Sequence, residues 1–317
     1  NSRLKNLEID ESFFDYIIVD EVHHIKADSY RPILRRFKPE ILLGLTATPE
    51  RMDGADITED FHHKIAAEIR LPEALNRKLL SLFQYFALSD SINLTNVSWK
   101  NGRYEIKELT KLYTENDRRV GDILKNCDEY LTDVHDVQAL GFCVSQDHAK
   151  YMADKFTIAG LKADYLISGN SSNRAVLKDR LSKKEINYLF VVDIFNEGVD
   201  IPEIDTVLFL RPTESLTIFL QQLGRGLRLA ENKDCLTVLD FVGNAKPEYD
   251  FEHKFRALIG RTHTSIIKEI EDEFPHLPLG CSIILERKAK DIILNNIREA
   301  TEFRRPELLR KIQNFKH

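Results

Sequence analysis

Short runs of β-branched and aliphatic residues recur along this chain, and most are followed by a stretch with helical periodicity. That alternation is the pattern of a parallel sheet with crossover helices, and it constrains the fold more than any other feature. Two runs stand near the start, at 16–19 (YIIV) and 40–46 (EILLGLT), and 83–88 (FQYFAL) reads as a third strand of the same block. Residues 90–105 are polar and turn-rich around Asn101-Gly102, and 106–131 read as one or two helices. The second block is more regular: 139–144, 163–167, 187–192, 206–210 and 235–241 are all strand-like. Beyond Gly243 the strands are expected to stop, with helices over 249–274 and 285–303. The expected organisation is α/β, with a first sheet-bearing part at 1–90, a helical connector at 91–134, a second parallel-sheet lobe at 135–245 and a helical extension at 246–317, the start of an accessory domain.

The length, 317 residues, suits about two domains. With 45 Lys and Arg against 51 Asp and Glu the net charge is −6, which excludes a histone-like polycation. It leaves room for a local basic groove. No apolar run approaches the roughly 20 residues that span a bilayer, so no membrane role is expected. The start lacks the apolar segment of a signal peptide, and four scattered cysteines read as reduced thiols, so a cytoplasmic location is expected. The histidine pairs at 23–24 and 62–63 lack the i, i+4 spacing of helical zinc ligands.

In open parallel sheets ligands sit beyond the carboxyl ends of strands. After the first run come Asp20 and Glu21, adjacent acids that can hold Mg²⁺ and orient a water against a phosphate, or that simply cap a following helix. After the second come Thr46 and Thr48, either linkers between a nucleotide site and a moving neighbour or ordinary turn caps. Asp200 is suited to accept from a ribose hydroxyl, in a polar loop where Gly198 permits a sharp turn.

The segment 215–229 (SLTIFLQQLGRGLRL) is the most informative. At 100° per residue Leu216, Phe219, Leu220, Leu223 and Leu227 share one face, and Gln221, Arg225 and Arg228 gather on the other. Gly224 and Gly226 each cost a helix about 1 kcal/mol relative to Ala, which points to something approaching closely. Arginine is the side chain that stabilises charge on a transferring phosphoryl group, so phosphate contact is favoured over a merely solvated face.

Together these residues resemble the motif series of superfamily 2 helicases. Asp20-Glu21-Val22-His23 resembles motif II, Thr46-Ala47-Thr48 motif III, Phe142-Cys143-Val144-Ser145 motif IV, and the loop from Ser168-Gly169 to Arg174 motif IVa. Residues 196–202 (NEGVDIP) resemble motif V and 221–228 (QQLGRGLR) motif VI. The nearest subgroup is the type III restriction subunit-like helicases, and 274–283 (FPHLPLGCSI) is similar to bacterial members with an N-terminal phospholipase-D-like module and a C-terminal domain of unknown function. The resemblance implies two RecA-like lobes, the first partial and the second complete, with ATP and Mg²⁺ between them and nucleic acid, DNA rather than RNA, across their top. It implies Asp20 and Glu21 at the metal, with His23, Gln221, Arg225 and Arg228 also catalytic. Gly198, Asp200 and Gly224 would lie against the nucleotide, and Thr46, Thr48, Ser145, Ser168 and Arg174 would serve nucleic acid or coupling.

Three departures qualify the resemblance. The phosphate loop G-x-x-x-x-G-K-[ST] is absent, since none of the 13 glycines precedes lysine. Family order puts that loop upstream of Asp20, so the chain is expected to begin inside the first lobe and to be inactive by itself, with further domains on both sides. Val192 stands where many relatives have Thr, and Gln222 where Arg is common. The alternatives are a non-catalytic platform for nucleic acid or protein, and a Rossmann-type enzyme, which lacks its G-x-G-x-x-G here.

Overall fold

The computed structural model describes residues 9–22, 31–46, 58–168, 173–192 and 201–314, with backbone only at 31–32 and 304–314. The chain divides into two compact units, 1–69 and 70–317.

In the first unit β1 (Tyr16–Val19) and β2 (Ile41–Gly44) pair in parallel, Tyr16 opposite Ile41, with α1 (Arg31–Arg36) between them in sequence. Val19 and Val22 form its small core with Ile17, Leu34, Leu42 and Phe61. Gly44 is needed there, because a Cβ would lie 2.7 Å from the Phe61 ring. Alternate residues Tyr16, Ile18, Ile41 and Leu43 are exposed.

The second unit is built on a seven-stranded sheet whose strands all run parallel, in the order β11-β3-β10-β9-β6-β8-β7. After α2 (Leu71–Asn76), β3 (Leu82–Asn93) enters this sheet, and a hairpin of β4 (Trp99–Lys100) and β5 (Arg103–Tyr104) turns at Asn101-Gly102. Next come α3 (Ile106–Thr114), α4 (Asp117–Tyr130), β6 (Ala139–Phe142), α5 (Gln146–Ile158), β7 (Ala163–Leu166), α6 (Arg174–Ser182), β8 (Tyr188–Val191) and β9 (Thr206–Phe209). The chain continues through α7 (Leu216–Gly226), β10 (Cys235–Asn244), α8 (Phe251–Ile259), α9 (Ile266–Glu271), β11 (Ser282–Leu285) and α10 (Arg287–Asn314).

Strands β6, β8 and β9 are buried at every position, as a parallel sheet covered on both faces requires. Period-2 alternation sends Leu140, Phe142 and Phe209 toward a core shared with Phe219 and Leu223 of α7 and Phe255 of α8. Ala139, Phe190 and Leu208 face the opposite core, with Ile123 of α4 and Met152 and Phe156 of α5. No helix among the described residues is long and apolar enough to cross a membrane.

The organisation differs from the sequence expectation in two places. The run 83–88, expected in the first block, lies within β3 and pairs with β10 over Cys235–Phe241 against Leu82–Leu88, so the sheet of the second lobe begins before residue 90. An apolar run shows that a strand is buried but not which sheet it joins. The strands also do not stop at Gly243, because β11 pairs with β3 at the sheet's edge. The extension is therefore stitched into the second lobe, and its four-residue strand is too short to stand out among helical neighbours.

Candidate functional site

In the first unit Asp20 and Glu21 follow β1 directly. Asp20 Oδ1 accepts Glu21 N–H at 2.9 Å, and Glu21 holds a left-handed φ of 49°, a conformation that costs a non-glycine residue energy and is common at functional sites. Val22 N–H reaches Leu45 O at 2.9 Å, so the acids and Thr46 lie at neighbouring strand ends. Asp20 is exposed, and Glu21 and Thr46 are half-buried. His23 and Thr48 lie outside the described residues. Among the described residues no group of three or more His, Cys, Asp or Glu stands together. Mg²⁺ keeps most of its waters and takes one or two carboxylates, so the Asp20-Glu21 pair fits that ion.

In the second unit the candidates fall at opposite edges of the sheet. At the carboxyl edge Ser145 caps α5, its hydroxyl accepting His148 N–H at 3.2 Å. The adjacent Gln146 Nε2 donates to Ser168 Oγ at 2.7 Å, which joins the ends of β6 and β7. Arg174 is the first residue of α6, after β7. Three candidates expected near nucleic acid thus share one edge.

Beneath them lies a polar cluster that sequence reasoning missed. Arg119 of α4 pairs with Asp90 of β3 at 2.8 Å, both side chains at most 3% exposed, and donates to Leu210 O at 2.9 Å. Its guanidinium lies 4.2 Å over the Tyr113 ring, which stacks on His148 at 5.0 Å. His148 Nδ1 accepts Val144 N–H at 3.3 Å. Burial, reinforced by Arg119 and Arg211, holds its pKa well below the usual histidine value. A second buried pair, Lys254 to Asp240 at 2.5 Å, sits on the other face with the Tyr85 hydroxyl also on Asp240. No local pattern marks these partners, because each pair joins residues distant in sequence or differing in element.

The arginine-bearing end of α7 is at the amino edge instead. Ser81, just before β3, donates its N–H to Leu227 O at 2.7 Å, and Gly226 packs flush on Leu236 at the start of β10. The expectation of candidates beyond strand carboxyl ends matches the position of the serines but not that of these arginines. The buried stripe of α7 is Phe219, Leu223 and Leu227, with Leu216 and Leu220 packed beside it, as periodicity predicts. Gln221, Gly224, Arg225 and Arg228 are half-buried, off that stripe. The two glycines differ. A Cβ on Gly226 would overlap the Leu236 side chain, so its close approach is core packing, whereas a Cβ on Gly224 meets nothing within 4 Å among the described residues. Gln222 is 1% exposed, and its amide has no hydrogen-bond partner among the described residues. Gly198 and Asp200 lie outside the described residues.

Known proteins share both regions. Residues 1–51 match the model of the type III restriction enzyme res subunit, and 122–230 match the helicase conserved C-terminal domain. IRC3 of Saccharomyces cerevisiae, provisionally named an ATP-dependent helicase, is 29% identical over 250 residues, 74% of this chain and 35% of its own length. A fragment of a provisionally assigned HsdR subunit of a type I restriction enzyme from Vibrio vulnificus YJ016 has a similar fold (TM-score 0.62, 21% identity, 88% of this chain and 49% of that one). So does the ATP-dependent Type ISP restriction-modification enzyme LlaBIII bound to DNA (TM-score 0.58, 16% identity, 94% of this chain and 23% of that one). The chain thus spans half or less of each of these relatives. With matched segments in that family's order on an α/β fold shared with restriction-enzyme subunits, the chain is a superfamily 2 helicase-like polypeptide.

Proposed function

We propose that these residues are part of an ATP-dependent helicase or translocase that couples hydrolysis to movement on nucleic acid. The observation that carries the reading is α7, which sets Gln221 and Arg225 off its core stripe beside the open position at Gly224, with Arg228 two residues past the helix end. Guanidiniums held on and just past the end of a packed helix are suited to meet charge that develops on a phosphoryl group. Asp20 would hold Mg²⁺, which when bound neutralises charge on the phosphates. Glu21, with His23 beside it, would orient or deprotonate the attacking water, and Asp200 and Gly198 would take the ribose side. Arg225 and Arg228 would act on phosphoryl charge, and Thr46 and Thr48 would couple hydrolysis to nucleic acid. Ser145, Ser168 and Arg174 would meet the phosphate backbone at the carboxyl edge, through contacts that weaken steeply with salt. DNA is favoured over RNA because one fold relative, LlaBIII, is described bound to DNA.

The sequence has no phosphate loop of the G-x-x-x-x-G-K-[ST] type, whose N–H groups and lysine cradle the phosphates. The 317-residue polypeptide by itself is therefore expected to release no phosphate from ATP, while the full-length protein does so when DNA is added. A phosphate-release assay on both decides the reading. DNA-independent inertness of the full-length protein would favour the non-catalytic platform.

A further inference from the structure

Three backbone carbonyls converge on one side chain at the amino edge of the seven-stranded sheet. Lys233 Nζ donates to Gly226 O at 2.5 Å, Arg228 O at 2.9 Å and Pro202 O at 3.3 Å. Gly226 O is the last carbonyl of α7, where a helix leaves its final carbonyls without intrahelical partners and concentrates partial negative charge, and Arg228 O lies two residues past that end. Leu227 O, between them, takes the Ser81 N–H. All three successive carbonyls are thus held from outside the helix, two of them by one ammonium. The third carbonyl on that ammonium, Pro202 O, lies two residues beyond Asp200 in the chain.

We infer that Lys233 is a positioning residue, whose three N–H donors fix the arginine-bearing end of α7 against the chain that follows Gly198 and Asp200, so that Arg225 and Arg228 are presented in one register. The inference rests on the ATPase reading proposed above. It adds a residue that lies in none of the matched motifs and touches no phosphate. Its chemistry is a count of donors: an ammonium has three N–H groups for three carbonyls, while a neutral amine has two and turns a lone pair toward the third. Burial lowers the Lys233 pKa to about 8, against opposing effects of Asp205, Cys235 and Glu203. Asp205 and Glu203, from the stretch before β9, and Cys235, at the start of β10, are the titratable groups that face it, while the end of α7 offers carbonyls.

The sign of that shift separates positioning from stability. Above pH about 8 the folded chain has given up a proton that the unfolded chain keeps up to the ordinary lysine value of 10.5. The Lys233 contribution to stability therefore rises with pH across that window. The charged tie does not stabilise the fold relative to the neutral amine; what it supplies is geometry.

The test measures kcat and KM for ATP across pH in the full-length protein with DNA, for the wild type, Lys233→Met and Lys233→Arg. Lys233→Met is expected to lower kcat roughly tenfold to a hundredfold, as misplacement of a catalytic group does, with KM nearly unchanged. Lys233→Arg restores most of the rate. Wild-type kcat falls above pH about 8 while thermal stability does not, and the arginine variant lacks that fall. Wild-type kcat in Lys233→Met overturns the inference, as does an alkaline fall that persists in Lys233→Arg; the latter decides if the methionine variant does not fold. A wild type without turnover removes the ATPase reading and this inference together. Turnover that needs Arg228 but ignores Lys233→Met removes the inference alone.

Discussion

The buried cluster under the carboxyl edge of the seven-stranded sheet and the end of α7 at its amino edge are held by different chemistry. At the carboxyl edge the deep ties are the Arg119–Asp90 ion pair and the Tyr113–His148 ring stack, and above them Ser145 caps α5 while Gln146 links the ends of β6 and β7 through Ser168. Around the end of α7 at the amino edge the ties run to main-chain carbonyls, from Lys233 and from Ser81 N–H, and the helix end is pressed onto Leu236 by a residue with no side chain. A buried ion pair is costly to break because the survivor is left charged and desolvated. A clamp on carbonyls governs where a helix end points. Damage to the buried cluster should therefore appear as lost stability, and damage to the carbonyl clamp as lost rate.

The largest expected effect is at the amino edge. Arg228→Ala in the full-length protein should lower DNA-stimulated turnover by about 10³–10⁵ while leaving nucleotide binding and thermal stability near the wild type. A fall of only about twofold would remove the assignment of Arg228 to phosphoryl charge. At the carboxyl edge Asp90→Ala should destabilise by about 3–5 kcal/mol, because Arg119 stays buried without its carboxylate, and denaturant unfolding of the second unit reads it. An Asp90→Ala protein of unchanged stability but reduced rate would invert the comparison between the edges.

The legible parts of this molecule are those whose signal is local. The strands of the second lobe, the core stripe of α7 and the Asn101-Gly102 turn each follow from residues within a few positions of one another. The assignment of 83–88 to the wrong sheet, and the missed β11, have one cause: pairing partners lie about 150 to 200 residues apart, and no periodicity records them. Within the candidate site, Gln221, Arg225 and Arg228 stood out because an arginine face opposite an apolar stripe is a local pattern. Lys233 and the Arg119–Asp90 pair did not, since a single lysine in a polar loop and an arginine in an amphipathic helix look like solvated charges until the backbone folds around them. Gly226 was legible as a close approach but not as to what approaches, which is Leu236 rather than a ligand.

A smaller effect is expected at the exposed rim of the carboxyl edge. Ser145 accepts His148 N–H through its hydroxyl oxygen, so its removal takes away an N-cap, which is worth about 1 kcal/mol. Ser145→Ala should therefore lower the unfolding midpoint slightly. The same hydroxyl keeps its own proton to donate, and a neutral donor to a phosphate adds affinity without releasing a counterion. DNA binding by the variant should weaken while the slope of log affinity against log salt stays that of the wild type. Arg174 differs in kind, because removing a charge that neutralises a phosphate lowers that slope by about one. If Ser145→Ala instead leaves both affinity and slope untouched while stability falls, the hydroxyl is a helix cap and nothing more, and the rim belongs with the buried cluster beneath it as structure.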